Sequence, residues 1–186
     1  MLEAERESSR AVLQLTLLNI ENEYKSLLFH KEANLEERKK ELKDITSFAI
    51  SYIDGYYEAY KKGILEEEEA KRLVAERIKK FRYGKDDYFS IYDKDFKVIS
   101  DPDPIFAREK NVLELRDVKG NHIVRPMMDI ALKQGEGFTT YLWWRLDAVV
   151  PGEKLTYSTF YPKWKDRKST RLNSSHIQKS RMPSSA

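Results

Sequence analysis

The spacing of apolar residues changes near residue 84, and this change restricts the possible fold more than any other feature of the sequence. From residue 3 to about residue 62, apolar and aromatic side chains recur every three or four positions, which predicts one long helix that Gly63 ends. A second helix is predicted from about residue 65 to residue 81. Beyond it the spacing shortens to two, which is typical of strands. The sequence therefore predicts helices followed by a sheet.

The second half of the sequence predicts short strands with one helix among them. The first two strands form a hairpin, and the Asp-Pro-Asp-Pro loop over 101–104 ends it, because proline cannot donate a hydrogen bond to a neighbouring strand. The order of long helix, helix, hairpin, helix and hairpin predicts an α+β fold. The predicted elements are strands over 88–92 and 96–100, a helix over 122–133 and strands over 138–144 and 154–161.

Residues 166–186 differ in character from everything before them. The segment is polar and aperiodic, and it has no Phe, Tyr or Trp although it follows a stretch rich in Trp and Tyr. Its back-translation from Asp166 to His176 resembles a short-read sequencing adapter. We therefore interpret 166–186 as a non-native tail and exclude it from the fold prediction, and a natural disordered tail is the alternative.

The tail also accounts for the basic charge of the chain. It carries five Lys or Arg residues and one Asp, so the net charge of +3 for the whole sequence becomes about −1 for residues 1–165. In those residues Lys and Arg are interspersed with Glu and Asp, which is not the clustered pattern of a nucleic-acid-binding surface. We therefore expect no nucleic-acid partner.

Length, hydropathy and cysteine content limit the class of protein. About 165 residues suit one domain with a helical extension. No stretch approaches the roughly 18–20 apolar residues that span a bilayer, and no signal-peptide pattern is present. The chain itself is therefore predicted to be soluble. It has no cysteine, which excludes disulfides and thiolate metal sites.

Catalytic chemistry has little support in the sequence. Outside the tail the histidines are His30 and His122, and neither stands at a spacing typical of metal ligands. No glycine-rich phosphate loop, nucleophile elbow or His-Glu-x-x-His motif is present. We therefore expect no enzyme activity, no catalytic residue, no metal and no cofactor in this chain.

Aromatic and hydroxyl side chains on the predicted strands are the strongest indication of a binding site. Because side chains alternate along a strand, one sheet face collects Tyr, Trp, Ser and Thr while the other collects aliphatic residues. Hydroxyls and an indole N–H can donate to a carboxylate or an amide, and an Arg or Lys at the rim adds charge complementarity. The alternative is that these aromatic residues only pack a core. The candidate ligand-binding residues are Tyr88, Ser90, Tyr92, Arg125, Tyr141, Trp143, Lys154 and Tyr157.

Several short motifs follow one another in a fixed order between residues 83 and 164. They are Tyr83-Gly84, Asp86 with Tyr88-Phe89, Tyr92-Asp93, the double Asp-Pro loop, 111–117 with Gly120, Gly137-Phe138 with Tyr141 and Trp143, 154–157, and 162–164. In this order they resemble the single Cache sensor domain of the second type, an extracytoplasmic module of bacterial chemoreceptors, sensor kinases and cyclic-dinucleotide enzymes. The resemblance covers roughly residues 35–164.

The resemblance implies a fold and a ligand class. The fold is a long N-terminal helix packed on a PAS-like antiparallel sheet, and the ligand is a small organic molecule, most often a short carboxylate, held between the sheet and its covering loops. Three positions depart from the family pattern, because Asp87, Ser90 and Asp101 stand where Gly, Phe and a His-Pro pair are usual. An aspartate at the mouth of the loop disfavours an anion unless a cation offsets it, so these departures leave the ligand class open.

The same resemblance divides the chain into a helical extension over 1–34, a Cache-like sensor domain over 35–165 without its last strand, and the tail over 166–186. It implies an extracytoplasmic (periplasmic) domain of a membrane receptor, with membrane contact only through segments absent from this chain. We expect a homodimer formed through the long helix. The alternative from another functional class is a helical dimerisation or structural module that binds no ligand.

Overall fold

The computed structural model describes residues 2–84, 87–93, 95–109, 111–144, 150–164 and 170–178, the last of these as backbone alone. The helices are α1 (Leu2–Lys61), α2 (Glu67–Ile78), α3 (Pro104–Arg108) and α4 (Val124–Gln134), with a 3-10 turn at Val112–Glu114. The strands are β1 (Arg82–Tyr83), β2 (Asp87–Tyr88), β3 (Ser90–Asp93), β4 (Val98–Ser100), β5 (Glu136–Trp143), β6 (Gly152–Phe160) and β7 (Thr170–Gln178).

The predicted α+β class and the long N-terminal helix are confirmed. Acidic residues fill the first turn of α2 and Arg77 lies in its last turn, which complements the helix dipole. The sequence prediction omits α3, because a single helical turn is too short to show apolar periodicity. Its start follows from local chemistry, since the Asp103 side chain accepts the Ile105 amide and Pro104 occupies the first turn.

The chain forms two compact units, residues 1–40 and residues 41–186. The first unit consists of the N-terminal part of α1. Many of its apolar side chains are more than half exposed, among them Leu15, Leu17 and Leu27. A helix with this pattern exposes apolar surface that a partner helix could bury.

The second unit contains a two-stranded ribbon, β1–β2, and a five-stranded antiparallel sheet in the order β4-β3-β7-β6-β5. Strands β5 and β6 pair Phe138 with Tyr157 and Tyr141 with Lys154. Paired residues point to the same face of a sheet and neighbours along a strand point to opposite faces. Phe138 and Tyr157 therefore lie on one face, and Tyr141 and Lys154 lie on the other.

The structure differs from the sequence prediction at the last strand. The backbone of β7 lies between β3 and β6 and pairs with both, whereas the sequence prediction excludes 166–186 from the sheet. Main-chain N–H and C=O groups make these pairings, so a segment with a weak side-chain pattern can still occupy the place between two open strand edges. The resemblance of 166–186 to adapter sequence stays a prediction.

Each face of the sheet has its own core. The helix face packs against α1 and α2 around Ile53, Val74 and Ile91, all of them inaccessible to solvent or nearly so. The opposite face, which we call the polar face, is covered by α3, the 3-10 turn and α4, with Phe106 and Met127 packed on it. Burying an aliphatic or aromatic side chain of this size contributes about 1.5–3 kcal/mol. The two layers hold the sheet from both sides.

Glycines allow α4 to lie close to the sheet. Gly135 follows α4 with a φ of +85°, a conformation that side-chain-bearing residues rarely adopt. Two residues later, a Cβ added at Gly137 would lie 2.3 Å from Cγ2 of Ile130 on α4. Glycine at this position therefore sets the distance between α4 and strand β5.

Candidate functional site

Strands β2, β3, β5 and β6 bring polar and aromatic side chains together on the polar face. The group is buried although it includes hydroxyls and a lysine, which is unusual for a surface that only packs a core. Phe106 covers it from α3, with its ring centroid 5.1 Å from that of Trp143. The members are Tyr88, Ser90, Tyr92, Tyr141, Trp143, Lys154, Thr156 and Ser158.

The Asp-Pro-Asp-Pro loop is fastened to this face by two buried carboxylates. The Tyr92 hydroxyl donates to Oδ2 of Asp101 at 3.1 Å, and the Trp143 indole N–H donates to Oδ2 of Asp103 at 3.0 Å. The other oxygens accept main-chain amides, because Asp103 N–H donates to Oδ1 of Asp101 and Ile105 N–H donates to Oδ1 of Asp103, both at 2.8 Å. The loop is thereby ordered over the sheet.

Lys154 supplies the buried positive charge of the polar face. Its side chain is on β6, only 6 % of the residue is exposed, and Nζ lies 5.5 Å from the centroid of the Tyr88 ring. A lysine ammonium at this distance is attracted by the face of an aromatic ring. The exposed Arg82 guanidinium lies 5.9 Å from the centroid of the same ring. Tyr88 is therefore close to two cations.

Burial and negative charge set the protonation of the site. Burial raises the pKa of the Asp101 carboxyl to about 6, although the nearby Ser90 hydroxyl, the Asp103 amide and the Tyr92 hydroxyl act in the opposite direction. Burial, followed by the charge of Asp101, also raises the pKa of Tyr88 and of Tyr92 well above the ordinary value. Both phenols therefore stay protonated at neutral pH.

This arrangement can bind a small anion that also has hydrogen-bonding groups. A buried ammonium provides the charge, and phenol, serine and threonine hydroxyls provide donors without a further cation. Asp101 and Asp103 oppose an anion, so the charge of Lys154 has to offset them. In the part of the chain that the structure describes, no three His, Asp or Glu side chains come together as a metal-binding group.

Six of the eight residues predicted for the site lie on the polar face, and two lie elsewhere. Arg125 is on the outer side of α4, where it pairs with Glu114 and donates to the Leu113 carbonyl. Tyr157 points to the helix face, and its hydroxyl donates to Glu136 at 2.6 Å. The six residues that lie together are Tyr88, Ser90, Tyr92, Tyr141, Trp143 and Lys154.

The sequence prediction does not include Asp101 and Asp103 among the site residues. It assigns the loop that contains them to ending a hairpin, although each Asp-Pro pair is also a signal for a helix N-terminus or a turn that an aspartate side chain closes. The alternation of residues along β6 could also have identified Thr156 and Ser158, which lie on the same face as Lys154. The burial of these two residues depends on neighbouring elements, so the pattern of one strand does not predict it.

A separate open cavity of about 340 Å³ lies on the helix face, between α2 and the β3–β4 hairpin. Its apolar lining includes Val74, Ile91, Val98 and Trp164, and Lys71 and Arg72 contribute charge. Both cations already form ion pairs with glutamates of α2. The cavity is therefore on the opposite side of the sheet from the six predicted residues that lie together.

Among the residues that the structure describes, no helix combines the length and the apolar character needed to cross a membrane.

Comparisons with known proteins agree with this fold. The profile of the Cache domain family dCache_2 matches residues 1–178. The sensor histidine kinase MctS of Rhizobium johnstonii is 31% identical over 130 residues, which cover 70% of this chain and 27% of that protein. The methyl-accepting chemotaxis protein McpP of Pseudomonas putida is 26% identical over 128 residues, which cover 69% of this chain and 23% of that protein. The chain thus spans about a quarter of the length of these relatives.

Solved structures show the same architecture. A periplasmic sensor domain of a chemotaxis protein has a TM-score of 0.67 at 22% identity and covers 76% of this chain and 95% of its own. A Cache chemosensory domain that recognises carboxylic acids has a TM-score of 0.67 at 22% identity, with 77% and 95% covered. A methyl-accepting chemotaxis protein from Vibrio parahaemolyticus has a TM-score of 0.68 at 23% identity, with 82% and 96% covered.

Proposed function

The chain belongs to the Cache domain family, and on that premise we propose that it is the sensing domain of a bacterial transmembrane receptor and binds a short carboxylate. Cache sensor domains of chemoreceptors and sensor kinases are its relatives and structural neighbours. Because the chain spans about a quarter of the curated relatives, the membrane attachment and the output domain belong to the proposal for the intact receptor. We expect no catalysis from this chain itself.

The observation that carries the proposal is the buried ammonium of Lys154 on a face of phenols and hydroxyls. Removing a charge from water is expensive, so a lysine that is 6 % exposed is stable only beside hydrogen-bond acceptors or negative charge. A carboxylate bound beside it would gain a charge-assisted hydrogen bond and donors such as Tyr88. The neighbour that recognises carboxylic acids supports the same ligand class.

A contact between the sheet and α1 supports a route for the signal. The Tyr161 hydroxyl, just after β6, donates to Asp54 of α1 at 2.5 Å, and Lys163 Nζ lies 2.9 Å from the same carboxylate. A ligand transmits a signal only if it binds two arrangements of the domain with different affinity. We infer that a movement of β6 on binding shifts α1 by about 1–2 Å. Hydrogen exchange in α1 that is identical with and without saturating ligand would contradict this inference.

A thermal-shift screen of short carboxylates, amines and amino acids tests the proposed function. A carboxylate at 100 times its Kd stabilises the folded state by about 2.7 kcal/mol, which raises Tm by several degrees. Lys154→Met should remove this shift because it keeps the length of the side chain without its charge. The control is Lys133→Met on the exposed surface of α4, where the shift should remain. A screen in which no carboxylate raises Tm would refute the proposal.

A second role, dimerisation through the N-terminal helix, is favoured by the exposed apolar side chains of residues 12–29. Two copies of this helix could bury these side chains against each other, which removes apolar surface from water. Light scattering tests this role, with Leu17→Lys and Leu27→Lys expected to shift a dimer of the chain to a monomer. A wild-type chain that stays monomeric at high concentration would refute it. A stable dimer that no ligand in the screen affects would instead support a structural module.

A further inference from the structure

Three charged side chains of the polar face are buried. Asp101 is 2 % exposed, Asp103 is 5 % exposed and Lys154 is 6 % exposed. If both aspartates are ionised, they place two negative charges on this face before any ligand arrives. A bound carboxylate would add a third, which is costly where water is excluded. An anion should therefore bind more tightly when one of these negative charges is removed.

The two aspartates differ in their capacity to take up a proton. Both oxygens of Asp103 accept N–H groups, from Ile105 and from Trp143, and an amide or indole N–H cannot reverse its role. Asp101 accepts one such N–H on Oδ1, but its Oδ2 faces the hydroxyl of Tyr92 at 3.1 Å. A hydroxyl can rotate and accept, so a protonated Asp101 keeps both hydrogen bonds.

Among the side chains that the structure describes, the other charged groups around the cluster do not remove this negative charge. Asp117, in the loop before α4, is buried as well, but its carboxylate accepts the amides of Lys119, Asn121 and Leu142. The groups on α3, on the 3-10 turn and on α4 are exposed, and those of the 3-10 turn and α4 pair with one another. Tyr88 and Tyr92 are neutral phenols whose raised pKa keeps them protonated. The exposed groups are Arg82, Arg108, Glu109, Glu114 with Arg125, and Asp129 with Lys133.

Resting on the proposed function, we propose that carboxylate binding is coupled to proton uptake, and that Asp101 accepts the proton. The proton moves from solvent to Oδ2 of Asp101 and forms the carboxyl O–H, which is the only new covalent bond. The hydrogen bond with Tyr92 then reverses, so that Oδ2 donates and the phenol oxygen accepts while its own hydrogen turns away. Asp101 thereby determines the charge of ligand that the site accepts. The site takes a carboxylate together with a proton. One ionised aspartate instead of two then repels the ligand, and Lys154 attracts it.

The acidity of Asp101 supports this coupling and gives its direction. Burial raises the pKa of Asp101 to about 6 in the free protein, so near pH 7 the carboxyl is mostly ionised. A bound carboxylate adds a like charge and raises that pKa further. Between these two pKa values binding takes up protons, so affinity falls by up to about tenfold for each unit that the pH rises.

Isothermal titration calorimetry with acetate, propionate and succinate tests the proposal. At pH 7, titrations in phosphate and in Tris give the number of protons taken up, because the two buffers release protons with different enthalpies. We expect about 0.5–1 proton per ligand, and an affinity that weakens from pH 6 to pH 8. Asp101→Asn should show no uptake and a flat profile, and the exposed Asp129→Asn should behave as the wild type.

The outcomes separate this inference from the proposed function. Binding of a carboxylate with the same enthalpy in both buffers and no pH dependence refutes proton coupling and leaves the sensing role intact. Uptake that persists in Asp101→Asn refutes the assignment to this residue. Failure of all three carboxylates to bind at any pH from 6 to 8 refutes both. The wild-type titrations in two buffers establish or refute proton coupling even if Asp101→Asn does not fold.

Discussion

Trp143 donates its indole N–H to the carboxylate of Asp103 at 3.0 Å, and this bond joins strand β5 to a loop 40 residues earlier in the sequence. Both side chains are buried. The same carboxylate accepts the Ile105 amide and so begins helix α3. One aspartate therefore holds the sheet, the loop and the covering helix in a fixed arrangement.

Removal of this indole donor should destabilise the domain. Trp143→Phe keeps an aromatic ring against Phe106 but leaves Oδ2 of Asp103 without its donor, and we expect a loss of about 1–3 kcal/mol in the free energy of unfolding. Urea denaturation measures it. The control is Trp144→Phe, because Trp144 is 44 % exposed and its replacement should change stability by less than about 0.5 kcal/mol. Equal losses in the two variants would contradict the role of the bond.

Gly137 should tolerate no side chain while α4 keeps its place. Gly137→Ala places a methyl group against Ile130, so we expect destabilisation by about 1–3 kcal/mol. The double variant with Ile130→Ala should recover part of this loss, which a double-mutant cycle measures. Gly55→Ala on α1 is the control, since nothing lies within 4 Å and alanine favours the helix by about 1 kcal/mol. Additive effects of Gly137→Ala and Ile130→Ala would exclude the clash.

Asp101 should make the folded state less stable as the pH rises through about 6. Its pKa is raised from 3.8 to about 6 by burial, so its stabilising contribution is complete below about pH 4 and is lost above pH 6. A difference of two pKa units corresponds to about 3 kcal/mol. About half of this contribution should be lost between pH 5 and pH 8, and urea denaturation at these two pH values should show that loss in the wild type and a smaller one in Asp101→Asn. Parallel pH profiles of the two proteins would contradict it.

Arg125 and Tyr157 should contribute little to carboxylate affinity, although the sequence predicts both as ligand residues. Arg125 pairs with Glu114 on the surface, and Tyr157 donates to Glu136 on the helix face. We expect Arg125→Ala and Tyr157→Phe to change Kd by less than about threefold in calorimetry, whereas Lys154→Met should weaken it by at least about tenfold. A loss of affinity in Arg125→Ala as large as that in Lys154→Met would show that Arg125 binds the ligand.

The sequence was most informative where one element determines its own structure. The helical spacing predicts α1, and alternation along β3 correctly places Tyr92 on one face and Ile91 on the other. Alternation also separates Tyr157 from Lys154. The prediction of Tyr157 as a ligand residue rests on the hydrogen-bonding capacity of its phenol and not on its face. The sequence therefore predicts which residues share a face. Which of the two faces is the candidate binding face follows only from the packing of α1 and α4.

The sequence was least informative where distant segments meet. No local pattern indicates that Asp103 meets Trp143 or that Asp101 meets Tyr92, because these contacts depend on how the loop returns over the sheet. The place of β7 likewise depends on the open edges of β3 and β6. Main-chain groups make these hydrogen bonds, so the side chains of the segment give little indication of the pairing. Long-range pairing and burial thus account for most of what the sequence prediction omits.

The central claim is that the polar face binds a short carboxylate, and the indole N–H signals of ¹⁵N-labelled tryptophan test it most directly. The chain has three tryptophans. Trp143 is on the polar face, Trp144 is 44 % exposed and Trp164 is buried on the helix face, so they report different surroundings. In titrations with acetate, propionate and succinate, we predict a saturable shift of the Trp143 signal with at least one acid, and little change at Trp144 and Trp164. A saturable shift confined to Trp164, or no saturable shift with any of the three acids, would contradict the claim.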